Sequence, residues 1–129
     1  MMVPNGPGIP ASAQWRDIRP ELSAEPYVFA PGEPPPGVTP FAVIREDEGV
    51  TAVLTRADAD RAGMAYDYVA ARITLRVGSA LTDVGLTARF SRILADAGIS
   101  CNVIAGLAHD HLFVGWDQGE QARALLSAK

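Results

Sequence analysis

All ten prolines fall within the first 40 residues, at positions 4, 7, 10, 20, 26, 31, 34, 35, 36 and 40. Proline fixes φ and has no backbone N–H, so it is excluded from helix interiors and central strands. Long regular elements are therefore confined to residues 41–129. Residues 1–13 are rich in Pro, Gly, Ser and Ala without periodicity and read as a disordered tail. The run Pro31-Gly32-Glu33-Pro34-Pro35-Pro36-Gly37 reads as a second break. Between these breaks, residues 15–22 suit a short helix interrupted by Pro20, and residues 27–30 a short strand.

At 129 residues the chain can bury about two-thirds of its unfolded surface, enough for a core without disulfides or a metal. Eleven basic and 15 acidic residues give a net charge of −4. Lys129 is the sole lysine and the arginines are scattered, which argues against a nucleic-acid footprint. Cys101 stands alone, so neither an internal disulfide nor a cysteine-rich zinc site can form. No apolar run approaches the length of about 18 residues that a membrane helix needs. Residues 1–14 lack the charged and apolar regions of a secretory signal, so the default expectation is a reduced, cytoplasmic protein.

Beyond residue 40 the patterning is regular. Residues 41–45 and 50–54 form a hairpin about the turn Glu46-Asp47-Glu48-Gly49. Thr55 caps a helix over 56–62, with Asp58 at its third position and Gly63 beyond its end. Residues 72–77 alternate, with Ile73, Leu75 and Val77 on one face and Arg72, Thr74 and Arg76 on the other. Leu86, Phe90, Ile93, Leu94 and Ala97 make an apolar stripe along a helix over 84–97, which Gly98 ends, with Arg89, Arg92 and Asp96 outward. A second hairpin pairs 101–105 with 111–114, and a final helix opens at Asp117 and Glu120. From residue 72 the order is strand, helix, strand, strand, helix, which is the split βαβ arrangement of an α+β, ferredoxin-like domain. A fourth strand is missing, and residues 27–30 are expected to supply it.

The segment from Leu86 through Gly98-Ile99-Ser100-Cys101-Asn102-Val103-Ile104-Ala105-Gly106 to His109-Asp110-His111-Leu112-Phe113-Val114 resembles small bacterial proteins with two ACT domains in tandem. Tyr27-Val28-Phe29, Arg45 to Thr51 and Arg72-Ile73-Thr74-Leu75 carry the resemblance further, over residues 14–127. That family is related to the ACT domains of the eukaryotic cytosolic arginine sensors. The resemblance implies a βαββαβ fold in two units, 14–69 and 70–129, packed as a two-layer sandwich. It also implies a regulatory, non-catalytic role, a small-molecule ligand such as an amino acid, homodimers, and no cofactor. The family's Asp-x-(Pro)-Gly-Leu stretch maps onto Asp83, Val84, Gly85 and Leu86, with Val84 where proline is usual.

In that setting the loop 78–85 would place free N–H groups and a helix dipole where a ligand carboxylate could sit. Gly85 would admit close approach, Asp83 could accept from an α-ammonium, and Asn102 could donate and accept. Ser79, Thr82, Val84, Leu86 and Ile104 would complete the site. From the residues alone, Thr82 or Asp83 is expected first as the helix cap, and the two roles are compatible. His109 and His111 share a strand face, but without a full ligand set they read as a polar hairpin rather than a metal site. Cys101 could draw on a histidine across the hairpin as a base, although an apolar strand favours an inert buried thiol. No acid–base pair or nucleophile constellation stands out. A ligand-sensing module is the first expectation, and a protein-interaction module without ligand is the alternative.

Overall fold

A computed structural model describes residues 18–76 and 84–127. Its seven strands are β1 (Pro20–Leu22), β2 (Tyr27–Pro31), β3 (Ala42–Glu46), β4 (Gly49–Thr55), β5 (Val69–Leu75), β6 (Asn102–Ala105) and β7 (Asp110–Gly115). The helices are α1 (Arg56–Arg61), α2 (Leu86–Asp96) and α3 (Gly119–Ser127), the last preceded by a 3-10 turn at Trp116–Gln118. The strands form one sheet in the order β3-β4-β2-β5-β7-β6, and β1 lies beside β5 as well. Every pairing is antiparallel.

β5 is the strand on which both halves of the sheet meet. One of its edges pairs with β7 from Ala70 to Leu75. Its other edge is divided: Ala70 and Val69 face Tyr27 and Val28 of β2, while Leu75, Thr74 and Ile73 face β1. Strand β1 therefore supplies the fourth strand beside β5, and β2 reaches it with only two residues. This corrects two expectations, since residues 20–22 are strand rather than helix. Pro20 explains the difference: it is barred from a helix interior but accepted at the first position of a strand. Before it, Arg19 sits in the left-handed region at φ 55°.

All three helices cover one face of the sheet. Ala59 of α1 packs with Val28, Ala30, Ala52 and Leu54. Leu86, Phe90 and Leu94 of α2 and Ala122 and Leu126 of α3 pack on Ala71, Ile73, Leu75, Leu112 and Val114. Side chains alternate along a strand, so Val69, which packs with the α1 cluster, and Ala71, which packs with the α2–α3 cluster, lie on the same side. The result is a two-layer α+β, ferredoxin-like arrangement. Helix α1 starts as its sequence suggests: Thr55 Oγ1 accepts from Asp58 N–H at 3.2 Å, and Gly63 follows in the left-handed region at φ 68°. Helix α2 starts two residues later than expected, because Gly85 at φ 99° occupies its N-cap position. Arg89 is half-buried rather than outward.

Gly119 opens α3 where the helix comes down on the sheet. A Cβ there would lie 2.8 Å from Ala71 Cβ and 3.2 Å from Leu22 Cδ1, so the absence of a side chain sets the distance between α3, β5 and β1. Gly119→Ala should destabilise by about 1–3 kcal/mol through overpacking, despite alanine's better helix propensity. Urea unfolding would show it as a lowered midpoint with an unchanged slope.

Candidate functional site

The face of the sheet opposite the helices is the more informative one. Residues directly opposite each other across a ladder share a face. Asn102, Phe113 and Arg72 therefore form one row, and Ile104, His111 and Thr74 the next. Around these rows stand Tyr27, Phe29, Phe41 and Tyr68, packed with the buried Val53, Ala70 and Phe113. Phe113 is the hub: Phe29, Phe41 and Tyr27 meet its ring edge-on at 5.3, 5.7 and 6.0 Å between centroids. Such edge-to-face pairs contribute about 0.5–1.5 kcal/mol each beyond area burial.

Arg72 lies among these rings. Its guanidinium carbon is 4.7 Å from the Phe41 centroid and 5.0 Å from that of Tyr27. Thr74, only 4% exposed, meets His111 Nδ1 at 3.0 Å through its hydroxyl. Burial, reinforced by the charge of Arg72 and by the nearby His109 and Arg76, pulls the His111 pKa below its ordinary value and disfavours protonation of the ring. Burial raises the Tyr68 phenol, while the Asn102 amide beside its hydroxyl acts in the opposite sense.

The residues singled out from sequence do not gather in one place. Ser79, Thr82 and Asp83 lie outside the described residues. Val84 and Gly85 are exposed at the start of α2, whereas the Leu86 side chain is buried in the helix-side core. Asn102 and Ile104 are on the other face, with Asn102 three residues from the sheet end where β5 stops, roughly 10 Å along the strand. Gly85 at the N-cap position also leaves Thr82 and Asp83 upstream of the cap they were expected to fill.

His109 and His111 flank Asp110 at the start of β7, and the turn before it is closed by Gly106 N–H donating to His109 O at 2.9 Å. No group of three or more metal-ligating side chains occurs among the described residues. Cys101 packs against the helix-side core, whereas His111 is on the aromatic face, so the thiol and the imidazole are separated by the sheet. Burial pushes the Cys101 thiol up to about 11.

Sequence reasoning missed Arg72, Tyr27, Phe41 and Tyr68 as members of a site. The alternation of residues 72–76 is legible in the sequence, but alternation alone does not say that its polar side packs against rings. The signal lay in the aromatic residues, one or two on each of several segments, which only the sheet order brings together. A separate open cavity of about 610 Å³ lies between Arg56, Tyr68, Val69, Trp116 and Asp117.

Two measurements follow from these environments. An unfolded His111 takes up a proton below about pH 6.5, which the folded one resists. Its contribution is thus present above that value and lost as pH falls through the lowered folded pKa. His111→Gln should flatten the stability profile between about pH 7 and 5, leaving the fall in the carboxylate range, where Arg76, Arg45 and Arg123 hold Glu21, Glu33 and Glu120 ionised. Cys101 in the native protein should react with a thiol reagent at pH 8 far more slowly than in urea, measured as release of the chromophore.

An ACT-domain family model matches residues 15–71. Among solved structures, a protein of unknown function from Vibrio cholerae, described as a possible transport protein, is 43% identical with a TM-score of 0.80. That match covers 86% of this chain and 88% of the other. The ligand-free regulatory subunit of aspartate kinase from Thermus thermophilus matches at 9% identity and TM-score 0.63, over 83% of this chain and 92% of its own. The aspartokinase alpha and beta subunits match at 15% identity and TM-score 0.58, over 83% and 93%. At such identities these two share the fold alone. Among curated proteins, none matches the chain.

Proposed function

Because this chain carries an ACT domain and belongs to one family with the Vibrio cholerae protein, we propose that it is a non-catalytic regulatory module for a small metabolite, an amino acid in the first instance. The ligand would sit at the junction of β5 and α2, in the loop that carries Ser79, Thr82, Asp83, Val84 and Gly85. The observation that carries this reading is Gly85. It stands exposed at the N-cap of α2 with φ 99° and brings no side chain to cap the first turn. Backbone N–H groups at such a helix start suit a ligand carboxylate, and Asp83 would take the ammonium. Asn102 and Ile104, on the opposite face, are left out of this site.

We read the chain as two ACT-like units, 14–69 and 70–129, that use β5 in common, akin in organisation to the eukaryotic cytosolic arginine sensors. In the first unit the proline-rich segment before β3 stands where a helix would otherwise lie. A homodimer fits this reading, as does a cytoplasmic site of action. The second reading, a protein-interaction module with no ligand, rests on the sheet edges. Val43 and Ile44 of β3 and Val103 of β6 are more than a third exposed on the two outermost strands, and such edges accept further strands.

Thermal unfolding against a panel of the twenty amino acids separates the two. A ligand at 100 times its Kd adds about 2.7 kcal/mol, a melting shift of roughly 5–15 °C for a chain of this size. The sensor reading expects a selective shift that Asp83→Ala abolishes while the unliganded melting temperature moves little. A panel with no response, together with a partner retained on the immobilised protein, would favour the interaction module.

A further inference from the structure

The aromatic face holds a cation that the described residues leave without an ion-pair partner. Arg72 Nε is buried without a hydrogen-bond partner, and no carboxylate among the described residues forms an ion pair with Arg72. The rings of Tyr27 and Phe41 stabilise the guanidinium through cation–π contact but offer it no acceptor. A guanidinium has five N–H donors in a planar fork, and the groups sharing this face do not take them up.

The other basic side chains of this region lie close by. His111 stands one row along the sheet, His109 lies in the turn before β7, and Arg76 follows β5. Two acids stand near them: Glu21 of β1, engaged by Arg76, and Asp110, which lies between the two histidines but opposite Leu75, on the helix-side parity of the ladder. Tyr27, Phe41, Phe113, Thr74 and Asn102, which fill the rest of the face, are uncharged. A half-buried guanidinium without an ion-pair partner among the described residues is a local positive site on a protein whose net charge is −4. That charge and the unused donors complement an anion, and the half-buried rings of Phe41 and Tyr27 beside Arg72 complement a flat apolar body.

We propose that the open face of the sheet binds a small carboxylate with a planar apolar body, the carboxylate held by the Arg72 guanidinium and the body lying against Phe41 and Tyr27. A carboxylate fits the fork through two parallel hydrogen bonds, which a lysine ammonium cannot reproduce. This site is on the side of the sheet away from α2, so it does not depend on the loop at Gly85.

Benzoate is the probe, with acetate and uncharged benzamide as comparators, and the Arg72 Nε–Hε resonance and the His111 ring resonances are followed by NMR. The expected result is a saturable shift of both with benzoate, binding about tenfold or more tighter than acetate, and no shift with benzamide. Arg72→Lys should weaken benzoate by about tenfold or more, and Phe41→Leu should remove its advantage over acetate. If Arg72→Lys fails to fold, the wild-type resonances and Phe41→Leu still decide. Asp83→Ala should leave benzoate binding unchanged. An Arg72 resonance that benzoate does not move, an equal response to benzamide, or loss of binding in Asp83→Ala would each overturn the proposal.

Discussion

Everything in this fold is organised by the two-sided burial of β5. Its edges are occupied by β7 on one side and by β1 and β2 in turn on the other. Its faces are occupied too: Ala71, Ile73 and Leu75 lie under α2 and α3, and Ala70, Arg72 and Thr74 lie in the aromatic layer. A strand so enclosed has little solvent-facing surface on which to accept change, and the half-buried Arg72 is where that surface remains. Its sequence nevertheless alternates, because one face is packed with aliphatic groups and the other with rings and a guanidinium. Alternation here reports two kinds of packing rather than a dry and a wet side.

That distinction explains what could be read from the sequence. Local signals were sufficient for the β3–β4 hairpin, for the Thr55 cap, for the stripe Leu86, Phe90 and Leu94, and for the glycine that ends α2. Each depends on residues within a few positions of one another. The resemblance on the 98–114 segment pointed to the ACT fold, which the family model and the two-layer sheet both support. What local signals could not supply was any partner at long range. The strand that lies beside Ile73 to Leu75 comes from residues 20–22, and nothing near residue 20 announces it. Its proline made it look like a damaged helix, although proline is tolerated at a strand's first position.

The candidate site shows the same limit. Asn102 and Ile104 were grouped with the 78–85 loop because they are close to it in the expected element order. The register places them on the far face of the sheet, beside Phe113 and His111. A one-residue change of parity along β6 would have put them on the helix side, and parity is set by the pairing partner rather than by the strand itself. The aromatic layer was equally dispersed in the sequence. Tyr27, Phe41, Tyr68 and Phe113 are separated by long intervals, and only the order β4-β2-β5-β7 makes them neighbours.

The shared use of β5 also sets an order of events during synthesis. Pro20 pairs with Leu75 and Tyr27 with Ala70, so β1 and β2 leave the ribosome well before the strand that completes their pairing. At 5–20 residues per second, the wait is on the order of several seconds. During it, β2 can form its hairpin-like ladder with β4, but Ile18 and Leu22 have no sheet on which to settle. Absence of a β-branched or aromatic run in Pro20-Glu21-Leu22 keeps that waiting strand a poor template for pairing with another chain. A three-residue strand carrying a proline and an acid is thus well suited to being made early and used late.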